Sequence, residues 1–202
     1  MKKKNLVNFT LLFFLMSGIC FAGEHQKSSW YIGFGVGTGQ LKVEGETMDD
    51  HFDGQYGIKV NNPGAINFGV GAILTPKLHL GFDLSAIAQT AESELNSSDE
   101  FTLSIANYLA ALTFYPMEEG FFLKAGLGIC ALHYEIDAKS FANISDDYGG
   151  VAFLLGIGYD FWIGKSFNLG LHAEYSRQSY EDDNNAPDDT EFLNFYLSFY
   201  WF

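Results

Sequence analysis

The sequence predicts an all-β fold, an eight-stranded antiparallel up-and-down transmembrane β-barrel. Three observations lead to this prediction. Apolar and polar residues alternate along most of the chain, glycines and charges occupy the polar positions, and short connections alternate with long ones. After the N-terminus, the chain has no apolar run of the roughly 18 residues that a membrane helix needs.

The N-terminus has the pattern of a secretory signal peptide. Lysines at positions 2–4 precede an apolar segment at about residues 11–21, and the small residue Ala22 follows. These features predict a signal peptide over residues 1–22, export through the Sec pathway, and a barrel domain over residues 23–202. Loss of the three lysines changes the formal net charge from −14 to −17. A surface this acidic is not expected to bind nucleic acid.

Alternation with a period of two gives each predicted strand two different faces. In residues 64–74, for example, Ile66 and Phe68 share one face, and Gly69 and Gly71 lie on the other. The eight predicted strands lie near residues 30–39, 64–74, 78–86, 101–115, 121–131, 151–161, 167–176 and 191–202.

Charged residues decide which face of the strands points inward. Placing the charges of Asp83, Lys124, Asp160 and Glu174 against lipid would cost about 2–4 kcal/mol each. We therefore expect a bore lined by glycine and polar residues, with bulky apolar residues facing lipid. Apolar residues fall on both faces of the fourth and eighth strands, whose facing stays open. The glycines expected to make room inside the bore are Gly33, Gly35, Gly37, Gly69, Gly71, Gly81, Gly126, Gly128, Gly156, Gly158 and Gly170.

The connections support a membrane barrel independently. Those near residues 75–77, 117–120 and 163–165 are short, and the other four are long. Outer-membrane barrels have short periplasmic turns and longer external loops. Trp30, Trp162 and Trp201 lie beside the short turns, where they predict an aromatic girdle at the membrane interface.

The first strand WYIGFGVGTG, the alternation of turns and loops, and the final YLSFYWF resemble the small bacterial outer-membrane β-barrel proteins. That family includes OmpX-like proteins, the OmpA transmembrane domain and the opacity proteins. The resemblance implies a bacterial outer-membrane location and contact with outer-membrane lipid and lipopolysaccharide. It also implies that the barrel assembly machinery recognises the last strand, with Tyr200 and Phe202 as the assembly signal. It does not fix an activity, because the family includes adhesins and lipid-modifying enzymes.

Six ionisable residues on the inward faces form a predicted polar network in the barrel interior. One alternative for part of this set is a hydrolytic triad of His172, Glu174 and Ser176, as a lipid A-modifying enzyme would need. A lipid chain would not easily reach the bore, so the network is favoured. A narrow cation channel is the other alternative. No cofactor, metal site or catalytic residue is expected. The predicted network residues are His79, Asp83, Lys124, Asp160, His172 and Glu174.

Acidic residues concentrate on the four long loops, which hold 18 of the 25. They predict a non-enzymatic structural or surface-interaction protein, adhesin-like, that binds a cationic or divalent-bridged surface ligand. The alternatives are a merely solvated rim, a narrow porin, or a lipid A-modifying enzyme. The loop acids are Glu44, Glu46, Asp49, Asp50, Asp53, Glu92, Glu94, Asp99, Glu100, Asp137, Asp146, Asp147, Glu181, Asp182, Asp183, Asp188, Asp189 and Glu191.

Overall fold

Eight long strands pair in chain order, each antiparallel to the next, and the last strand pairs with the first. This closed barrel confirms the predicted fold. The computed structural model describes residues 29–52, 57–93, 100–137, 144–180 and 186–202, so the predicted signal peptide lies outside the described residues. The barrel strands are β1 (Trp30–Val43), β4 (Gly64–Thr75), β5 (Leu78–Ser93), β6 (Glu100–Phe114), β7 (Phe121–Asp137), β8 (Ile144–Trp162), β9 (Phe167–Tyr180) and β10 (Asp189–Trp201).

Side chains alternate between the two surfaces of the barrel wall. Bulky apolar side chains point outward, so that Phe34 is 55% exposed and Leu127 is 71% exposed. Polar and charged side chains point inward, and Asp83, Lys124 and Glu174 are buried. This distribution is the reverse of a soluble barrel, because the apolar surface is on the outside where lipid covers it.

The structure defines the facing of the two strands that the sequence left open. In β6, Leu103, Ile105 and Leu109 point inward. In β10, the side chains of Phe192 and Tyr196 also point inward. Both strands therefore carry apolar residues on both faces, because part of the barrel interior is itself apolar.

The interior divides into two zones. In the described part of the chain, the charged side chains inside the barrel lie in the half nearer the short turns. The half nearer the long loops is filled mainly by apolar side chains that pack into one cluster. The buried members of this cluster are Leu41, Met48, Ala65, Ile87, Ala91, Leu103, Ile105, Leu109, Cys130, Leu132, Ala152, Leu154, Tyr180, Phe192 and Tyr196.

Inward glycines are needed where aromatic rings cross the bore. A Cβ atom at Gly158 would lie 2.5 Å from Cε1 of Phe122, and one at Gly33 would lie 2.5 Å from Cε1 of Tyr200. Such approaches are too close for any larger residue unless the rings move. Glycine on one strand therefore accommodates a large ring projecting from a neighbouring strand.

The first long connection is folded over the outer end of the barrel. Glu44 and Gly45 both have positive φ angles, 51° and 84°, as a two-residue type I′ hairpin turn requires. This turn joins β1 to the short strand β2 (Glu46–Thr47), which leads into helix α1 (Met48–Phe52). Strand β3 (Ile58–Val60) then pairs with the outer end of β5. Within the described residues, no helix has the length and apolarity needed to span a membrane.

The short-turn end is closed by aromatic side chains. Phe202 is buried against Tyr31 and Tyr200, and its amide donates to the carbonyl of Ser166 at 3.0 Å. The ring of Trp162 packs on Phe202, with centroids 5.2 Å apart. Trp162 therefore lies at the inside of the wall, because it follows the inward Asp160 by two residues on the same strand face.

The other two tryptophans of the predicted girdle face outward. Trp30 is 53% exposed and Trp201 is 61% exposed, and both lie at strand ends near the short turns. The ring of Trp201 packs against that of Phe167 at 5.3 Å. These positions suit the amphipathic indole at a membrane interface.

Candidate functional site

A lysine and two carboxylates meet inside the barrel. Lys124 of β7 donates to Asp83 of β5 at 2.5 Å and to Glu174 of β9 at 2.8 Å. All three side chains are at most 5% exposed. Asn67 Nδ2 donates to the other oxygen of Asp83 at 2.9 Å. We call Asp83, Lys124 and Glu174 the bore cluster, and its ion pairs tie three strands together across the interior.

A second polar group lies nearer the short turns. Asp160 accepts a hydrogen bond from the Tyr115 hydroxyl at 2.6 Å and pairs with Nε2 of His172 at 3.0 Å. Nδ1 of His172 lies 3.3 Å from the hydroxyl of Ser198. The ring of His79 packs against that of Tyr115, with centroids 4.7 Å apart. The six residues of the predicted network therefore all lie inside the barrel, in two adjoining groups.

The candidate triad of His172, Glu174 and Ser176 is not assembled. Glu174 binds Lys124, whereas His172 binds Asp160. The Ser176 hydroxyl donates to the backbone carbonyl of Phe153 at 2.9 Å. Side chains two residues apart on one strand face thus bind different partners across the bore, and none of them activates another.

Sequence reasoning missed several uncharged members of the interior network. Asn107 Nδ2 donates to the Ser176 hydroxyl at 2.7 Å, and Gln178 Nε2 donates to the same hydroxyl at 2.8 Å. The Tyr115 hydroxyl and Ser198 complete the group around Asp160. Gln178 could have been identified from the sequence, because it follows Ser176 by two residues and so lies on the same inward face of β9. Asn107 and Ser198 could not, because they belong to the two strands whose facing was open.

Little space remains beside these charges. A cavity of only about 20 Å³ remains between the bore cluster and the aromatic rings of the short-turn end. This is close to the smallest volume, about 10–15 Å³, that holds one water molecule. Among the described residues, ionic and aromatic side chains fill the barrel interior on this side.

A much larger cavity opens at the other end. It has a volume of about 800 Å³, and we call it the mouth cavity. Buried leucines from three strands line its inner part, and the hairpin turn and α1 border it on the outside. Among the described residues its lining comprises Leu41, Val43, Glu44, Glu46, Thr47, Met48, His51, Phe52, Phe101, Leu103, Leu132, Tyr134, Ala186 and Pro187.

Thr47 and Asp50 fix the start of α1. Asp50 Oδ2 accepts hydrogen bonds from the hydroxyl of Thr47 at 2.6 Å and from its amide at 3.1 Å. These bonds, chiefly that from the hydroxyl, lower the pKa of the Asp50 carboxyl below its ordinary value. The carboxylate thus holds the turn that places Met48 and Phe52 over the barrel.

Carboxylates surround the mouth cavity and form the outer rim. Many of the predicted loop acids lie within the described residues, whereas Asp53, Glu94, Asp99, Glu181, Asp182 and Asp183 do not. Three basic side chains of this region are paired with acids. Lys42 binds Glu191 at 3.5 Å, Arg177 binds Asp189, and His133 lies 2.7 Å from Asp147. The described members of the outer rim are Glu44, Glu46, Asp49, Asp50, Glu92, Glu100, Asp146, Asp147, Asp188, Asp189 and Glu191.

The rim acids do not converge on a common point. Within the ranges that the structure describes, no group of three or more His, Cys, Asp or Glu side chains is placed to hold a metal ion.

The chain is similar to one known protein family and to several solved structures. The family model for the outer membrane protein beta-barrel domain matches residues 10–201. No curated protein matches the chain. Ail, the attachment invasion locus protein of Yersinia pestis, solved with the heparin analogue sucrose octasulfate, has a TM-score of 0.60 at 14% identity. That match covers 85% of this chain and 96% of Ail.

A second solved structure, Neisserial surface protein A, has a TM-score of 0.54 at 10% identity, covering 86% of this chain and 97% of that one. At such low identity these likenesses show the fold alone. The family match spans almost the whole chain and confirms the resemblance inferred from the sequence. The chain belongs to the outer membrane protein β-barrel domain family and is a protein of the bacterial outer membrane.

Proposed function

We propose that this barrel is a non-enzymatic surface-interaction protein that binds a cationic or divalent-bridged partner through its outer rim. The observation that carries the proposal is the concentration of exposed carboxylates around the long-loop end. Asp147, for example, is 82% exposed at its side chain. Such a rim attracts positive surfaces and repels anionic lipopolysaccharide unless divalent cations bridge the two.

The filled part of the bore supports this function over a channel. Filling of the interior by the bore cluster and by aromatic rings leaves the loop end as the surface available to partners. The expected conductance in planar lipid bilayers is that of the bilayer alone. Discrete conductance steps that persist after repeated purification would favour the channel alternative.

The interior hydrogen bonds support a non-enzymatic role. The histidine and hydroxyls that a hydrolase would use are engaged inside the wall, where Ser176 and Ser198 are fully buried. We expect the lipid A of expressing cells to have the same mass spectrum as that of non-expressing cells. A new lipid A species that depends on His172 would instead favour the enzyme alternative.

Ail provides a contrast for the choice of partner. It was solved with a polyanionic heparin analogue. The chain described here has an acidic outer rim, so we propose a partner of the opposite charge. Labelled octalysine and octaglutamate, tested against the barrel in zwitterionic nanodiscs, separate these two classes.

A matched pair of variants tests the rim. Asp146→Asn with Asp147→Asn removes two charges at the loop end, and Glu118→Gln with Glu119→Gln removes two at the short-turn end. Each exposed ion pair contributes about 0.2–1 kcal/mol, so the rim variant should bind octalysine about two- to thirtyfold more weakly. The short-turn variant should bind as the wild type does.

Salt and chelator identify the type of contact. Direct ionic binding weakens as salt rises, because the Debye length is about 8 Å at physiological ionic strength and shortens with added salt. Cation-bridged binding to an anionic probe disappears with chelator. Equal octalysine binding by both variants, with no response to salt, would contradict the proposal.

A further inference from the structure

We propose that the mouth cavity binds an amphiphilic cation, with the apolar body of the ligand inside the cavity and its positive head at the outer rim. The inference rests on the proposed function and specifies the class of partner. It is carried by the combination of an apolar interior and an acidic opening in one preformed cavity.

The inner part of the cavity is apolar. Leu41, Leu103 and Leu132 are at most 7% exposed and come from three different strands. Phe52 and Phe101 stand closer to the opening, are only partly buried, and have ring centroids 6.1 Å apart. These surfaces can contact an alkyl chain or a ring but offer it no charged partner.

The volume is suited to a ligand. At about 800 Å³ the cavity falls within the range of about 300–1,000 Å³ that is typical of small-molecule sites. The β1–β2 hairpin and the hydrogen bonds between Thr47 and Asp50 hold its outer border in place. The site is therefore formed before a ligand arrives.

The charges at the opening select the head group. Glu44 and Glu46 line the cavity, and its described lining contains no lysine or arginine. Lys42 lies on the neighbouring outward face and binds Glu191. A quaternary or primary ammonium group is therefore favoured at the opening, and a fatty-acid carboxylate or a sulfate is disfavoured.

Octyltrimethylammonium is a suitable probe for the full chain in lipid nanodiscs. The readout is the methyl NMR shifts of Met48 and Leu132 in the cavity, with Leu127, which faces lipid, as the reporter of partition into the bilayer. We expect saturable shifts at the two cavity methyls that are absent at Leu127. Octyl sulfate should bind at least tenfold more weakly, and octyl glucoside should lie between the two.

Chain length and two substitutions test the two parts of the site. Each buried methylene should tighten binding by about fourfold, so hexyltrimethylammonium should bind about fifteenfold more weakly than the octyl compound. Leu103→Trp, which fills the cavity, should weaken octyltrimethylammonium binding at least tenfold. If Leu103→Trp fails to fold, Phe52→Ser is used in its place. It removes a partly exposed aromatic wall of the cavity and should also weaken octyltrimethylammonium binding. Glu46→Gln should reduce the preference for ammonium over sulfate by about two- to fivefold.

The outcomes separate this inference from the proposed function. Octalysine binding that survives Leu103→Trp, together with loss of octyltrimethylammonium binding, supports both. If octalysine does not bind the rim but the cavity methyls show saturable shifts, the proposed function is overturned and the cavity proposal stands. Shifts that do not saturate, that appear equally at Leu127, or that are equal for octyl sulfate would overturn the cavity proposal.

Discussion

Replacing Lys124 by methionine removes the cation of the bore cluster and leaves two buried carboxylates facing each other. Asp83 would keep one hydrogen bond, from Asn67, whereas Glu174 would keep none among the described residues. Removing one partner of a buried ion pair costs about 3–5 kcal/mol. We therefore expect the free energy of unfolding to fall by about that amount. At a slope of about 2 kcal/mol/M, the urea midpoint should fall by about 1.5–2.5 M.

The assay is urea unfolding in lipid vesicles, followed by tryptophan fluorescence and by heat-modifiable migration. Lys59→Met is the matched control, because Lys59 is exposed on β3 and its loss should leave the midpoint unchanged. Adding Asp83→Asn and Glu174→Gln to Lys124→Met should restore most of the lost stability, because no unpaired charge is then buried. A midpoint for Lys124→Met equal to that of the control would refute the role assigned to the bore cluster.

Two further predictions concern the chain terminus and the first loop. Deleting Phe202 should sharply lower the amount of heat-modifiable, protease-resistant barrel in the outer membrane. Folding of the same variant into pure lipid vesicles measures how much of the effect is lost packing, and normal levels in cells would defeat the assembly-signal hypothesis. The second concerns Asp50, whose pKa is lowered by hydrogen bonds from Thr47. The stabilisation that the Asp50 carboxylate gives to α1 is therefore complete above the ordinary carboxyl pKa and is lost as pH falls through the lower folded value. Hydrogen exchange at the Thr47 amide should accelerate relative to other amides as pH falls from the ordinary aspartate pKa of about 3.9 toward the lower folded value. Asp50→Asn should remove this dependence, and an identical profile in the variant would exclude Asp50 as its source.

The barrel could be predicted from the sequence because the polarity and size of each single residue indicate whether it faces lipid or the interior. An inward glycine such as Gly158 and an outward leucine such as Leu127 each satisfy a local rule of alternation. The same rule failed for β6 and β10, where Ile105 and Phe192 are apolar but point inward. Their environment depends on the apolar zone near the long loops, which forms only when several strands come together.

The hydrogen-bond and ion-pair partners of side chains inside the bore were harder to predict than whether a side chain faces inward or outward. His172 and Glu174 share one face of β9, yet His172 binds Asp160 of β8 and Glu174 binds Lys124 of β7. Those contacts depend on the stagger between strands and on how far each side chain reaches across the bore. The alternation pattern of a single strand predicts neither. The fold of the first loop was missed for another reason. Its signal is the brief Glu44–Gly45 pair, which indicates a tight turn only once β1 is known to continue to Val43.

The two unequal ends of the interior determine which compartment can exchange with it. Under the non-channel function proposed above, an interior that is filled near the short turns and hollow near the long loops is a binding pocket. If the barrel does not conduct, as proposed, molecules in the mouth cavity enter and leave by the same opening, and no gradient across the membrane drives net flux through it. Occupancy at equilibrium then follows the concentration in the surrounding medium and is independent of the periplasm.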